Sequence, residues 1–270
     1  MSWAGGSFGS SGTCVLAPNA GPMTLDGTNT WVLRAPGSSR SVVVDPGPSV
    51  ESHLAAIGDA AGDVSAVLLT HHHADHSEAA REFAERHGCG VRALDPAYRL
   101  GSEGLGEGDV VVVDDLEVHV VATPGHTSDS LSFVVPADGA VLTGDTVLGR
   151  GTTVVAHPDG ELGAYLSSLE RLRALCGEQS ITSVWPGHGP VITDALGAID
   201  HYLAHRQERL DQVRDALRVL HARARSGERL DHEALPRAIV EIVYADVDPV
   251  LWGAAELSVR AQLSFLSSRG

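Results

Sequence analysis

Residues 64–76, VSAVLLTHHHADH, run an apolar, β-branched stretch straight into four imidazoles and a carboxylate. The stretch suits an apolar strand bounded by polar residues. Burying such polar groups without partners costs several kcal/mol. His71, His72, His73, Asp75 and His76 are therefore either solvated or held in place by something else. The fold has to bring this strand end to a surface or a cleft, and the rest of the chain decides which.

At 270 residues and 43% hydrophobic, the chain can build one main domain with an appendage. A formal net charge of -16 makes its surface as a whole repel phosphate, which argues against a broad nucleic-acid interface and leaves room for a local basic patch. Cys14, Cys89 and Cys176 are odd in number and share no close spacing. Neither a disulfide framework nor a cysteine zinc cage is expected, and the three read as reduced thiols. The opening MSWAGGSFGSSGTC has no basic segment and no long apolar one, and no run of about 18 apolar residues follows. A cytoplasmic location without membrane insertion is the expectation.

Between Thr13 and Val191 short β-branched runs alternate with turns and helix-period segments. TWVLRA and SVVVDPG read as strands, and ESHLAAIGDAAG as a helix closed by Gly62. SEAAREFAERHG reads as a helix with Ser77 as N-cap and Gly88 as stop. Strands follow around Val91 and in DVVVVDD, LEVHVVAT, LSFVVP and AVLTGD, then a helix in LGAYLSSLERLRALCG and a strand in ITSVWPG. Many strands with interspersed helices indicate a layered α/β domain, residues 1–194. From Asp194 the pattern changes. Ile199, Leu203, Arg206, Leu210, Val213, Leu217 and Leu220 form the stripe of one long amphipathic helix ending near Gly227. LPRAIVEIVYADVD and DPVLWGAAELSVRAQLSFL supply two more helical segments, so residues 195–270 read as a small helical subdomain.

The polar residues gather at strand ends. His71, His73, Asp75 and His76 follow VSAVLLT, His126 follows VHVVATPG, Asp145 follows AVLTG, and His188 follows VWPG. Five histidines and two aspartates at four strand termini suit zinc, which takes imidazole and carboxylate and needs as few as three protein ligands per catalytic ion. Seven donors suffice for two ions. His72, flanked by two of these donors in an extended turn, is expected to point away from them.

The four motifs THHHADH, PGHT, GD and PGHG, in that order from about residue 15 to 192, resemble the metallo-β-lactamase fold superfamily. The resemblance implies a four-layer αββα sandwich with the metals at one edge. It also implies that His71, His73 and His126 bind one metal, that Asp75, His76 and His188 bind the other, and that Asp145 bridges them. Within the superfamily, NAGPMTLDGTNTWVL, GDTVLGRGTTVV, PGHGPVI and HYLAHRQERL are similar to the beta-lactamase-like protein 2 group. That similarity extends over the tail, which it makes winged-helix-like. The chain's last residues, LSFLSSRG, stand where a wing hairpin would follow, so the tail is expected to be a truncated version that does not read double-stranded DNA.

The implied activity is hydrolysis of an ester-type bond by hydroxide held between two zinc ions, with Asp75 and Asp145 as the carboxylates of the catalytic centre. The beta-lactamase-like protein 2 resemblance points to single-stranded RNA as substrate. Related fungal members and the fold at large point to thioesters or lactones, as in a glyoxalase II-like enzyme. A mono-iron persulfide dioxygenase is the oxidoreductase alternative on the same fold, and a metal-stabilised interaction module the non-catalytic one. A β-lactam is not expected, because Asp145 stands where the familiar zinc β-lactamases carry cysteine. Thr28, Asn29 and Thr30 either line the cleft mouth, with Asn29 touching substrate, or form a tight turn. Arg206 either snorkels along its own methylenes or aims its guanidinium at a substrate anion beside the metals. The sequence says nothing of oligomeric state.

Overall fold

A computed structural model describes residues 2–226 and 233–268. The first sheet holds β1 (Gly6–Phe8), β2 (Gly12–Leu16), β3 (Asn29–Leu33), β4 (Arg40–Val44), β5 (Asp63–Leu68) and β6 (Gly90–Arg92), in that spatial order. The first four pair antiparallel, each with the next in sequence. β4, β5 and β6 run parallel, so each pair needs a helical crossover. α1 (Glu51–Ala61) makes the first crossover; α2 (Ala74–Ser77) and α3 (Ala80–His87) make the second.

The second sheet contains β7 (Val110–Val113), β8 (Leu116–Ala122), β9 (Leu131–Val135), β10 (Ala140–Gly144) and β11 (Ser183–Pro186), ordered β11-β10-β9-β8-β7. α4 (Leu162–Glu178) links the parallel pair β10 and β11. β8 and β10 are both antiparallel to β9 and so share a direction. The C-terminal ends of β8, β10 and β11 therefore open at the same edge. The tail consists of α5 (Ala195–Arg225), α6 (Leu235–Val243) and α7 (Trp252–Ser267).

Alternating inward residues of the two sheets make the central core, where the rings of Trp31 and Trp185 stack 4.8 Å apart among Val44, Leu68, Val120, Phe133 and Leu142. Leu54 and Ile57 of α1 and Phe83 of α3 cover the outer face of the first sheet. Leu162, Tyr165, Leu169 and Leu172 of α4, with Ile199, Tyr202 and Leu210 of α5 and Phe265 of α7, cover the second. These layers make the αββα sandwich. Further along α5, Val213, Ala216 and Leu220 pack on Ile239, Val240 and Val259 of α6 and α7.

Several local expectations meet a different outcome. The sequence reading names no strand before TWVLRA, yet β1 and β2 form, β2 pairing with β3 and β1 with β2. Ser77 does not cap a helix: its Oγ donates to the carbonyls of His72 and His73, closing α2, and α3 begins after Ala79. Gly62 and Gly88 do end α1 and α3, with φ of 66° and 68°. The expected stop of the long helix at Gly227 lies outside the described residues; α5 runs to Arg225, and Asp194 caps its start by accepting from the Gly197 N–H. The carboxylate of Asp248 accepts from the Val250 N–H and starts the short 3-10 turn that leads into α7. Among the described residues the tail has no strand, no helix is long and apolar enough to cross a membrane, and all three cysteines are free thiols.

Candidate metal centre

Four strand ends deliver the seven side chains to one edge of the sandwich. β5 leads into His71, His73, Asp75 and His76, β8 into His126, β10 into Asp145 and β11 into His188. Two glycines make the approach possible. Gly125 has φ of 137°, and a Cβ there would overlap the backbone of Tyr165. At Gly187 a Cβ would sit 2.6 Å from Asp145 Oδ1 and 2.8 Å from His76 Cε1.

The donor atoms fall into two groups. His73 Nδ1 lies 3.0 Å from His71 Nε2 and 3.1 Å from His126 Nε2. In the other group, His188 Nε2 lies 3.1 Å from Asp75 Oδ2 and 3.3 Å from His76 Nε2. Asp145 stands between them: its Oδ2 is 3.7 Å from His126 Nε2 and 3.4 Å from His188 Nε2, and its Oδ1 is 3.5 Å from His76 Nε2. Tetrahedral ligands at zinc bond lengths sit roughly 3.3 Å apart. Asp145 Oδ1 is also buried with no hydrogen-bond partner. Converging nitrogen and carboxylate donors with an orphaned oxygen among them fit divalent cations that accept imidazole and carboxylate.

The tautomers follow from what lies behind each ring. His126 Nδ1 faces the Val154 carbonyl at 2.7 Å, His188 Nδ1 the Gly27 carbonyl at 3.2 Å, and His76 Nδ1 the Asp45 carboxylate at 2.9 Å. These acceptors have no proton to offer, so each Nδ1 donates, and once the ring is neutral Nε2 is the nitrogen whose lone pair faces inward. Thr70 Oγ1 donates to Asp45 Oδ2 at 2.6 Å and so accepts from His71 Nδ1 at 3.0 Å, which sets His71 the same way. Asp45 takes a third bond, from the Thr70 N–H at 2.8 Å. It is the organising carboxylate behind the site, and the sequence reading missed it. Its one available signal was its place: like Asp145, it ends a strand.

The two groups differ in charge. Burial, aided by neighbouring imidazoles, holds His71 well below the usual range, carries His73 to about 4 and lowers His126. Burial also pulls on His76, but Asp145, Asp45 and Asp75 outweigh it and raise His76 well above the usual range. The same contest lifts His188 to about 9. Burial pushes Asp75 and Asp145 up, yet His76 and His188 prevail, bringing Asp75 to about 2 and Asp145 well below the carboxylate range. Without metal, one group is a set of neutral imidazoles and the other an ion-paired cluster.

Other expected site residues lie elsewhere. His72 points away from the donors, with Nδ1 2.8 Å from Asp129 Oδ1. Asn29 does not reach the cleft; that expectation is corrected. It is fully buried, its amide donates to the carbonyls of Pro186 and Gly189, and its oxygen accepts from Trp3 Nε1. Asn29 thus ties β3 to the loop carrying His188. Thr28 and Thr30 are buried as well, Thr30 Oγ1 donating to the Asp45 carbonyl. Arg206 does not snorkel. It is 5% exposed, donates to the Thr153 carbonyl, lies over the Tyr165 ring at 4.9 Å, and lines one cavity with His126 and Asp145.

The family profile described as Metallo-beta-lactamase superfamily matches residues 23–177. The chain belongs to this superfamily. A second profile, the Beta-lactamase associated winged helix domain, matches residues 236–270. Among superfamily relatives, the Beta-lactamase-like protein 2 homolog of Caenorhabditis elegans is 30% identical, over 96% of this chain and 84% of that protein. The Atrochrysone carboxyl ACP thioesterase of Aspergillus fumigatus is 31% identical, over 85% of this chain and 72% of the relative. A beta-lactamase domain protein from Burkholderia ambifaria, known from its crystal structure, has the same fold, with a TM-score of 0.79 at 23% identity, covering 100% of this chain and 90% of that one. This metallo-β-lactamase superfamily chain is thus of the hydrolase type, with side chains suited to binding metal.

Proposed function

We propose that this chain is a binuclear zinc hydrolase whose substrates are small-molecule thioesters or esters. The observation that carries the reading is the cavity beside the metal centre. It has a volume of about 330 Å³, touches His126 and Asp145, and is walled by Met23, Leu25, Leu148 and Leu251. A concave, largely apolar pocket with a few convergent polar groups takes a small molecule. A single-stranded RNA site would instead need a basic groove and aromatic platforms for stacked bases. The net charge of -16 and the thioesterase among the relatives support the same choice.

In this reading His71, His73 and His126 would hold one zinc and Asp75, His76 and His188 the other, with Asp145 standing between the two groups. Two such ions, when bound, lower the pKa of water and polarise a carbonyl oxygen. The chain's own part is positional. Asp145 fixes the spacing of the two groups, Asp75 stays ionised at neutral pH beside His188, and the apolar wall excludes water around the acyl group.

The test is elemental analysis of the purified protein beside a panel of an acyl thioester, a lactone and a short single-stranded RNA. The expected result is about two zinc ions per chain and carbonyl-ester turnover that chelation abolishes and zinc restores. RNA cleavage without thioester or lactone turnover would assign a ribonuclease instead. Iron with sulfur-dependent oxygen uptake would assign the dioxygenase.

A further inference from the structure

Arg206 breaks an otherwise apolar stripe of α5. Its neighbours on that face, Ile199, Tyr202, Leu210 and Val213, are all buried to within 2%. A buried cation is costly unless a carboxylate or a set of hydrogen bonds compensates it. Arg206 donates to the Thr153 carbonyl and rests on the Tyr165 ring, but its Nε is buried without a partner. None of the arginine ion pairs among the described residues includes Arg206 or Arg209. Arg209, half-buried one turn along, lies over the Tyr244 ring at 4.7 Å and donates to the Val243 carbonyl. Burial and these two cations keep His205, which precedes Arg206 in the sequence, below its ordinary pKa.

All three residues line the cavity that holds His126 and Asp145. One part of that cavity therefore presents metal donors and another presents two arginines without carboxylate partners, with Leu148, Val247, Leu251 and Ala255 also on its walls. We propose that the substrate is an acyl thioester or ester whose acyl chain ends in a carboxylate, and that Arg206, assisted by Arg209, binds that carboxylate while the scissile carbonyl lies at the metal centre. The proposal rests on the thioester or ester reading given above. A planar guanidinium matches a carboxylate in two parallel hydrogen bonds. A phosphate monoester, with more charge and three acceptor oxygens, would ask for more free donors than these partly engaged arginines offer.

Arg206 has a structural side too: through Thr153 it steadies the segment whose Val154 carbonyl orients His126. A purely structural role would depress turnover of every substrate alike, so the test reads a ratio. The zinc-loaded full chain is given glutaryl and pentanoyl thioesters of the same small thiol, equal in carbon number and differing in terminal charge. The expected preference in kcat/KM for glutaryl is about tenfold or more, the worth of one charge-assisted hydrogen bond. Arg206→Gln should bring the ratio close to one, and Arg206→Lys should leave an intermediate value. A second measurement needs no variant: glutarate should raise the Tm of the wild-type protein more than pentanoate does.

Equal turnover of the two thioesters and equal shifts by the two acids would overturn the carboxylate site while leaving the hydrolase intact. A preference that survives Arg206→Gln would overturn the role of Arg206. If no thioester or ester is hydrolysed, the hydrolase reading fails and the acids alone decide: a glutarate shift lost in Arg206→Gln keeps the site, and no difference removes it.

Discussion

Asp45 binds no metal in the proposed scheme, yet two metal-ligating rings depend on it, His76 directly and His71 through Thr70. Its φ of 51° is a conformation asparagine also tolerates, so Asp45→Asn changes charge and hydrogen bonding with little backbone strain. The neutral amide offers His76 a weaker acceptor and can turn a donor toward it. Metal affinity should fall by about 10- to 100-fold in a chain that still folds, as for other outer partners of metal-bound histidine. Competition with a chromophoric chelator measures this, and an unchanged affinity would show that Asp45 serves only the fold. The seven donors were legible because each follows a strand in a recognisable word. Asp45 was not, because an aspartate before Pro-Gly reads as an ordinary turn residue. Asn29 was misplaced for the same reason: nothing local shows that the carbonyls of Pro186 and Gly189, 157 and 160 residues away, engage its amide. For Arg206 the stripe revealed the buried face of the helix but not that this face opens on a cavity.

At the scale of elements, α5 serves two cores. Its first half packs Ile199, Tyr202 and Leu210 against α4, and its second half packs Val213 and Leu220 against α6 and α7. The proposed units, 1–194 and 195–270, meet along this helix. Residues 1–194 alone would expose the Leu162, Leu169 and Leu172 face of α4 as an apolar patch of the kind that drives aggregation. Expressed alone, they should be insoluble or lose cooperative unfolding, whereas the full chain should unfold in one transition; a soluble, cooperative fragment would show that the sandwich needs no tail. The helix was legible because its spacing of three and four persists for many turns. β1 and β2 were far less so. β1 is only Gly6–Phe8, the Gly- and Ser-rich residues 9–12 adjoin both, and β2 finds its partner in β3 and β1 in β2, a tertiary effect that local sequence does not report.

For the whole molecule, the donor groups join the two sheets: β5 of the first contributes to the same centre as β8, β10 and β11 of the second. Bound metal therefore stabilises the sandwich itself, by an amount that grows with occupancy. The metal-free protein has its own clamp in the ion pairs of His76 and His188 with Asp75 and Asp145. The signs then oppose each other. A histidine raised above its unfolded pKa of about 6.5 contributes stability that is complete below that pH and is lost as pH rises through the folded value. For His188 that loss spans the interval up to about 9, with His76 contributing in the same direction. Asp75, lowered to about 2, contributes fully throughout this interval and weakens only in acid. Metal binding, by contrast, needs neutral imidazoles, so zinc must displace those protons and binds more tightly as pH rises. His73, at about 4, and the lowered His71 and His126 are already neutral in the folded chain, and the opposing slope from their unfolded imidazoles fades about one pH unit above 6.5. The difference in Tm between zinc-loaded and metal-free protein should accordingly widen from about pH 7.5 to pH 9, with the metal-free Tm falling over the same range. Scanning calorimetry of both forms across that interval measures it, and a gap that stays constant or narrows would mean that His76 and His188 do not hold their protons in the metal-free protein.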